Sequence, residues 1–318
     1  MNPSFWDSTK VLVTGGAGFL GKQLMPRLLE LGADVFVPRS EEFDLRKESD
    51  VKNLFKKFEP EIVIHMAVHG GGIGYMQKHP ARIYYDNILI NTYVVNYSME
   101  SGVKKFVGIG TVCEYPKYAP APFKEEDLWS GYPEETNAPY GHSKRMLLVQ
   151  SQAYRKEYGF NGIHLLLVNL YGPYDNFHPE HSHVIPALIE KMFNAKLRGE
   201  NAVEVWGTGK ASREFLYTED AAEGILLAAE RYNKPDPINI GTGKEITIKE
   251  LVSLIAELVE YDGRIAWDET KPDGQPRRCL DVSKAKNEFG FEARTSLREG
   301  LEKTIDWYKN EILGIKRT

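Results

Sequence analysis

Apolar positions follow two alternating patterns along this chain. Short apolar, β-branched runs recur at Lys10–Thr14, 33–38, 61–67 and 105–110, and each reads as a buried strand. Between them the spacing is helical: Leu24, Leu28 and Leu29, then Val51, Leu54 and Phe55, then Ile83, Asn87, Ile90, Asn91, Val94 and Val95 across 80–102. Strand–helix alternation of this kind predicts an α/β fold built on a doubly wound parallel sheet. Asn87 interrupts an apolar stripe, so a buried amide holding neighbouring backbone is expected. Beyond residue 172 the pattern continues with helices at 184–192 and 220–231, strands at 237–241 and 264–268, and a final amphipathic helix at 297–310. Thr247 and Glu250 have the spacing of a capping box that opens one more helix. The predicted organisation is a first domain over 1–172, to which 212–242 returns, and a smaller C-terminal α/β domain over 173–318.

The first strand runs into Gly15-Gly-Ala-Gly-Phe-Leu-Gly21 and then a helix. Glycines at 15, 18 and 21 allow a tight turn, a close backbone approach and helix N-terminal N–H groups aimed at a pyrophosphate. A dinucleotide site of the Rossmann type follows, with Gly15, Gly18, Phe19, Leu20 and Gly21 as its floor. The second strand ends at Pro38-Arg39-Ser40 rather than at a carboxylate, so Arg39 would meet a 2′-phosphate. NADP (as NADPH) is the expected cofactor, with NAD as the alternative because Glu41 and Glu42 adjoin. Asp44 is a candidate for the adenine edge or for a helix cap. The glycine-rich loop His69–Gly74 follows a parallel strand, at the sheet edge where ligands bind; His69 either touches a ligand there or is a structural or solvent-facing residue.

Composition excludes several classes. The net charge of −5 does not suggest nucleic-acid binding, and no apolar run reaches the roughly 18–20 residues that span a bilayer. The N-terminus lacks a basic region followed by an apolar one, so no signal peptide is expected. Cys113 and Cys279 are the two cysteines, which make no disulfide framework. A cytoplasmic location is the resulting expectation.

The chemistry centres on Asn137-Ala-Pro-Tyr-Gly-His-Ser-Lys144. Pro139 can open a helix, and a four-residue spacing then puts Tyr140 and Lys144 on one face. A phenol beside an ammonium can exchange a proton with a carbonyl oxygen, its pKa lowered by the positive charge. Thr111, in the loop closing the 105–110 strand, can donate to the same carbonyl, and Cys113 lies two residues on. These motifs together resemble the extended short-chain dehydrogenase/reductases acting on nucleotide sugars, whose Thr/Ser-Tyr-Lys triad falls on Thr111, Tyr140 and Lys144.

A closer resemblance lies in Asn169–Leu188, Val205-Trp-Gly-Thr-Gly209, Arg213-Glu-Phe-Leu216, Asn239-Ile-Gly-Thr-Gly243 and Lys271-Pro-Asp-Gly-Gln-Pro-Arg277. These strings are similar to the GDP-L-fucose synthase family of 3,5-epimerase/4-reductases. The resemblance implies that Cys113 and His183 are the acid and base, and that a GDP-sugar is the substrate. A 4-keto group acidifies C3 and C5, and thiol and imidazole titrate near neutrality. Substrate contacts are expected from Lys191, Trp206, Arg213, Lys271 and Arg277, with Arg278 offering further positive charge. The resemblance also implies a homodimer through the helices at 80–102 and around Tyr140. His178, His181 and His183 lack carboxylate or thiolate partners at useful spacing, so no metal is expected. Thr111, Val112 and Glu114, Lys191 in place of an arginine, and the run Gly70-Gly71-Gly72 depart from that family's usual residues. They leave room for a sibling reductase with a different sugar. A GDP-sugar epimerase that keeps its cofactor without net reduction is a further alternative, as is a non-catalytic dinucleotide sensor.

Overall fold

The computed structural model describes residues 1–178, 182–271 and 273–314. Its strands are β1 (Lys10–Thr14), β2 (Asp34–Phe36), β3 (Ile62–His65), β4 (Lys105–Thr111), β5 (Gly162–Leu167), β6 (Asn169–Tyr171), β7 (Ala202–Trp206), β8 (Ser212–Tyr217), β9 (Ile238–Ile240), β10 (Glu245–Thr247) and β11 (Arg264–Asp268). The helices are α1 (Pro3–Trp6), α2 (Gly21–Glu30), α3 (Glu48–Phe58), α4 (Ile73–Lys78), α5 (Pro80–Glu100), α6 (Ala138–Tyr158), α7 (Val184–Arg198), α8 (Thr218–Arg231), α9 (Ile248–Val259), α10 (Ser283–Phe289) and α11 (Leu297–Trp307).

Six parallel strands form the main sheet in the order β2-β1-β3-β4-β5-β9. Alternate residues feed opposite faces. Val11, Val13, Ile62, Ile64 and Val107 pack with Leu24 and Leu28 of α2 and the alanine-rich face of α8. Leu12, Val63 and Phe106 pack with Val51, Leu54 and Phe55 of α3, Val94 and Val95 of α5, and Leu147 of α6. Helices therefore cover both faces, which explains why these strands read as continuous apolar runs. The sheet order reverses between β1 and β3, and a ligand crevice is expected outside the strands' carboxyl ends at such a point.

A second apolar cluster joins α7, α9 and α11 to β7, with Tyr171, Phe215 and Tyr217 from β6 and β8. Two small sheets, β10-β8-β6 and β11-β7, belong to this part. Thr247 does cap α9 through reciprocal bonds with Glu250. Some expectations change. The second strand is shorter than 33–38, ending before Pro38, which has no N–H for a ladder. The final helix is α-helical to Trp307 and continues as a π turn over Tyr308–Ile312. Neither β5 nor α4 was among the predicted elements, although Ile163–Leu167 is an apolar run like the others.

Candidate active site

The carboxyl ends of the main strands open into one cleft of about 1850 Å³. Small-molecule pockets typically hold about 300–1,000 Å³, so this cleft has room for two ligands of nucleotide size.

One end is built from the turn after β1. Gly15 has φ +73°, and a Cβ there would stand 2.8 Å from the Ala67 nitrogen, so only glycine suits this left-handed, tightly backed position. Gly18 donates to the Gly15 carbonyl at 3.0 Å and accepts from the Lys22 nitrogen at 3.0 Å. Gly21 opens α2 against the backbone of Gly16, while Gly15, Gly18, Phe19 and Leu20 line the cleft. Among the described residues no side chain caps α2; its first N–H groups therefore fit an anion such as a pyrophosphate. Arg39 lines the same end and has no ion pair among the described residues. Asp44 lines it too, but its carboxylate accepts from Arg46 Nε at 2.8 Å and Nη2 at 2.9 Å. Arg46 holds that carboxyl below the usual range. Asp44 does not cap α3, whose N-cap is Lys47.

His69 is neither free nor simply solvent-facing. Its Nδ1 lies 2.7 Å from Asp86 Oδ2 and its Nε2 2.8 Å from Tyr75 Oη. Asn87 behaves as expected of a buried amide: it donates to the His69 carbonyl and accepts the His69 N–H, fixing the loop after β3.

In the middle of the cleft, Tyr140 and Lys144 project from the first turns of α6, which Pro139 opens. A buried polar chain seats this helix. Thr14 Oγ1 meets His65 Nδ1 at 2.7 Å, His65 Nε2 meets Asn91 Oδ1 at 3.0 Å, and Asn91 donates to the Ser143 carbonyl at 3.0 Å. Burial, with Lys144 nearby, pushes the His65 pKa down to about 3, so the ring stays neutral. Sequence reading missed this chain; Asn91 on the same stripe as Asn87 was the available signal.

Lys144 is 2 % exposed and donates to the Ile109 carbonyl at 2.8 Å. Burial lowers its pKa to about 8, opposed by Glu114. Its ammonium lies 6.0 Å from the Tyr140 ring centroid. The expectation that Lys144 lowers the phenol's pKa is corrected here. Burial raises it, and Cys113 and Glu114 push the same way, while the ammonium is engaged by Ile109. Tyr140 is thus a neutral phenol, a proton donor rather than a standing phenolate.

Thr111 ends β4 and caps a 3-10 turn over Val112–Glu114, its hydroxyl accepting the Cys113 N–H at 3.3 Å. Glu114 turns inward, wholly buried, accepting from the Thr111 nitrogen at 2.8 Å and lying 3.1 Å from His164 Nε2. Arg278, 8 % exposed, brings Nη1 to 3.7 Å from Cys113 Sγ. Across the cleft, His183 is the N-cap of α7, with Nδ1 3.8 Å from Asp175 Oδ1. Asp175 raises the imidazole pKa above its ordinary value. His181 lies outside the described residues.

The far end gathers cations around an indole. Trp206 is 55 % exposed, with Lys191 Nζ 5.9 Å and Lys271 Nζ 5.4 Å from its ring centroid. Arg213 lines the cleft and is anchored by backbone carbonyls of Ser212, Gln275 and Asp273. Burial and Arg278 lower its pKa to about 10. Arg277 differs from its expected place. It is paired with Glu245 on the surface and does not line the cleft, whereas its neighbour Arg278 does. Adjacent residues in extended backbone point opposite ways, so only one of the two arginines can face inward.

This is a dinucleotide-binding α/β protein with its candidate site at the carboxyl edge of its sheet. The chain belongs to the NAD dependent epimerase/dehydratase family, whose model matches residues 11–241. It is 40% identical over 306 residues to GDP-L-fucose synthase 1 of Arabidopsis thaliana, covering 96% of this chain and 94% of that one. Among solved structures, a GDP-6-OMe-4-keto-L-xylo-heptose reductase from C. jejuni superposes with a TM-score of 0.91. It is 29% identical, covering 98% of this chain and 99% of that chain. A GDP-L-fucose synthetase from Naegleria fowleri bound to NADP gives a TM-score of 0.87 at 27% identity, covering 98% and 97%.

Proposed function

We propose that this protein epimerises a GDP-4-keto-6-deoxy-hexose at C3 and C5 and then reduces its C4 ketone, using NADPH. The observation that carries the proposal is the meeting of Thr111, Cys113, Tyr140, Lys144 and His183 in one cleft large enough for both ligands. One of the Cys113–His183 pair removes a proton from the carbon beside the ketone, and its electrons pass into the C4 oxygen. The Tyr140 phenol and the Thr111 hydroxyl hydrogen-bond that oxygen as it gains charge. The other member of the pair returns a proton from the opposite face, inverting the carbon. NADPH, when bound, supplies hydride to C4. Tyr140 then gives its proton to the C4 oxygen, and Lys144 lies where it can assist the phenol and hold the nicotinamide ribose. Lys191, Trp206, Arg213 and Lys271 would bind the guanine and diphosphate, and Arg39 would bind the 2′-phosphate.

In this reading 1–172 with 212–242 forms the cofactor part and the remainder of 173–318 the substrate part. Tyr84 and Tyr85 on α5 and Met146 and Val149 on α6 are exposed, which supports a homodimer through these helices. Among the described residues no helix is long and apolar enough to cross a membrane, and the reading places the enzyme in the cytoplasm.

The test is incubation with GDP-4-keto-6-deoxy-D-mannose and NADPH. Consumption of NADPH and a 6-deoxy-L-sugar by NMR is expected; an unchanged keto sugar would overturn the proposal. The heptose reductase similarity gives one specific alternative, a 4-reductase for another GDP-4-keto sugar. It would reduce such a sugar without solvent deuterium entering C3 or C5.

A further inference from the structure

His183 occupies an unfavourable place for a cationic acid. It caps the N-terminus of the fifteen-residue helix α7, where the helix dipole disfavours positive charge. Yet a carboxylate approaches it from the preceding loop. Asp175 has 3 % of its side chain exposed, and its Oδ1 lies 3.8 Å from His183 Nδ1. Oδ1 also accepts the Asn176 N–H at 2.7 Å, while Oδ2 is buried without a hydrogen-bond partner among the described residues. An enclosed carboxylate with one backbone donor is under-satisfied, and an imidazole N–H beside it can supply a further donor. The residue before it, Tyr174, has φ +71°, a conformation that L side chains seldom adopt and that recurs where backbone is committed to a site.

We propose that Asp175 is the positioning residue of His183. Its carboxylate takes the Nδ1 proton as hydrogen-bond acceptor, fixes the ring's orientation and leaves Nε2 to exchange protons with the sugar. The assignment rests on the epimerase reading, since only proton exchange at C3 and C5 needs this imidazole. Other charged groups line the same cleft: Lys191 on α7, Lys144 on α6, Glu134 before it, Arg213 on β8, and Asp273 and Arg278 beyond β11. Of these and Asp175, only Asp175 shifts the titration of His183, and it shifts it upward. In the absence of that carboxylate the ring at a helix N-terminus would lose its proton at lower pH. The pair would then keep its charged donor over a narrower range of pH.

Asp175→Asn keeps the shape and removes the charge; Asp175→Glu is the conservative rescue. Two measurements separate this proposal from the function it rests on. The first needs no substrate: the His183 ring resonance, assigned by comparison with His183→Asn, is titrated by NMR in the full-length protein. A downward displacement of its titration midpoint in D175N, restored in part by D175E, is expected. An unchanged midpoint overturns the positioning role whatever the enzyme's substrate is. The second follows deuterium entry at C3 and C5 of the keto sugar and, separately, NADP-dependent oxidation of the reduced GDP-sugar. D175N should slow exchange about 10-fold or more, displace the exchange pH profile to lower pH, and leave the oxidation rate within about 2-fold. Equal loss of both rates overturns the proposal. Absence of turnover by the wild-type protein overturns the substrate assignment and leaves the NMR result to decide on Asp175.

Discussion

Replacing Lys144 by methionine should abolish hydride transfer and yet make the protein more resistant to unfolding near pH 7. Lys144 is 2 % exposed, and burial lowers its pKa from 10.5 to about 8. At pH 7 the ammonium is charged in both folded and unfolded chains, and the folded state carries the desolvation cost. The gap between 10.5 and about 8 corresponds to about 3 kcal/mol. The sign follows from proton counts. Between pH 8 and 10.5 the unfolded chain holds more protons than the folded one, so wild-type stability rises with pH across that window. At about pH 9.5 the remaining penalty is about 1.4 kcal/mol. Methionine removes the penalty but leaves the Ile109 carbonyl without its donor, a cost of about 1–3 kcal/mol that does not change with pH. The pH-dependent part is therefore cleanly readable: the K144M-minus-wild-type stability difference should fall by about 2 kcal/mol between pH 7 and about pH 9.5. His65 does not confuse the reading, because its pKa lies near 3. Urea denaturation without added dinucleotide at both pH values provides the numbers. A difference constant to within about 0.5 kcal/mol would refute the claim that a buried, desolvated ammonium sits beside Tyr140.

Three other changes test separate parts of the cleft. Arg39→Ala should raise KM for NADPH about 10-fold or more while leaving NADH within about 2-fold, read by steady-state kinetics with each dinucleotide; equal effects on both would remove Arg39 from the 2′-phosphate. Trp206→Ala should weaken GDP binding by about 1–3 kcal/mol, the range for base–aromatic stacking, measured by calorimetry, with little change in thermal stability because the ring is 55 % exposed. Gly110→Ala would drive a methyl into the His164 ring and the Glu114 carboxylate. It should cost about 1–3 kcal/mol and lower Tm by several degrees, with activity reduced even below the transition because Glu114 holds the Thr111 N–H.

What could be read in advance was local. The Gly15–Gly21 turn depends on φ at single residues, the Tyr140–Lys144 face on helical pitch, and the Thr247–Glu250 box on a three-residue spacing; each is a rule within one element. What could not be read depends on register or enclosure. Arg277 and Arg278 are chemically alike, and only the direction of the chain beside Glu245 decides which one reaches Cys113. The pKa direction of Tyr140 reversed for a similar reason. A Tyr-Lys spacing implies charge stabilisation, but the sheet, the Cys113 loop and Glu114 enclose the phenol, and enclosure dominates. Asp175 escaped notice because its relation to His183 passes through a left-handed turn at Tyr174, a residue type that gives no warning of one.

Glu114 links these observations into one consequence for the chemistry. Its carboxylate is wholly buried beside His164 and bonds the Thr111 nitrogen, and it raises the pKa of both Tyr140 and Lys144. Both effects move the loss of a proton to higher pH, so the ammonium stays charged and the phenol protonated over a wider range. A buried carboxylate placed behind the Cys113 loop therefore helps set the pH at which this pair loses its protons, while the reaction's equilibrium fixes its direction. Replacing it by the isosteric glutamine should move that loss to lower pH, since the backbone bond to Thr111 can survive while the field on Tyr140 and Lys144 does not. The alkaline limb of the reductive rate's pH profile is the quantity that would reveal it, and an unmoved limb in Glu114→Gln would show that enclosure alone sets the phenol.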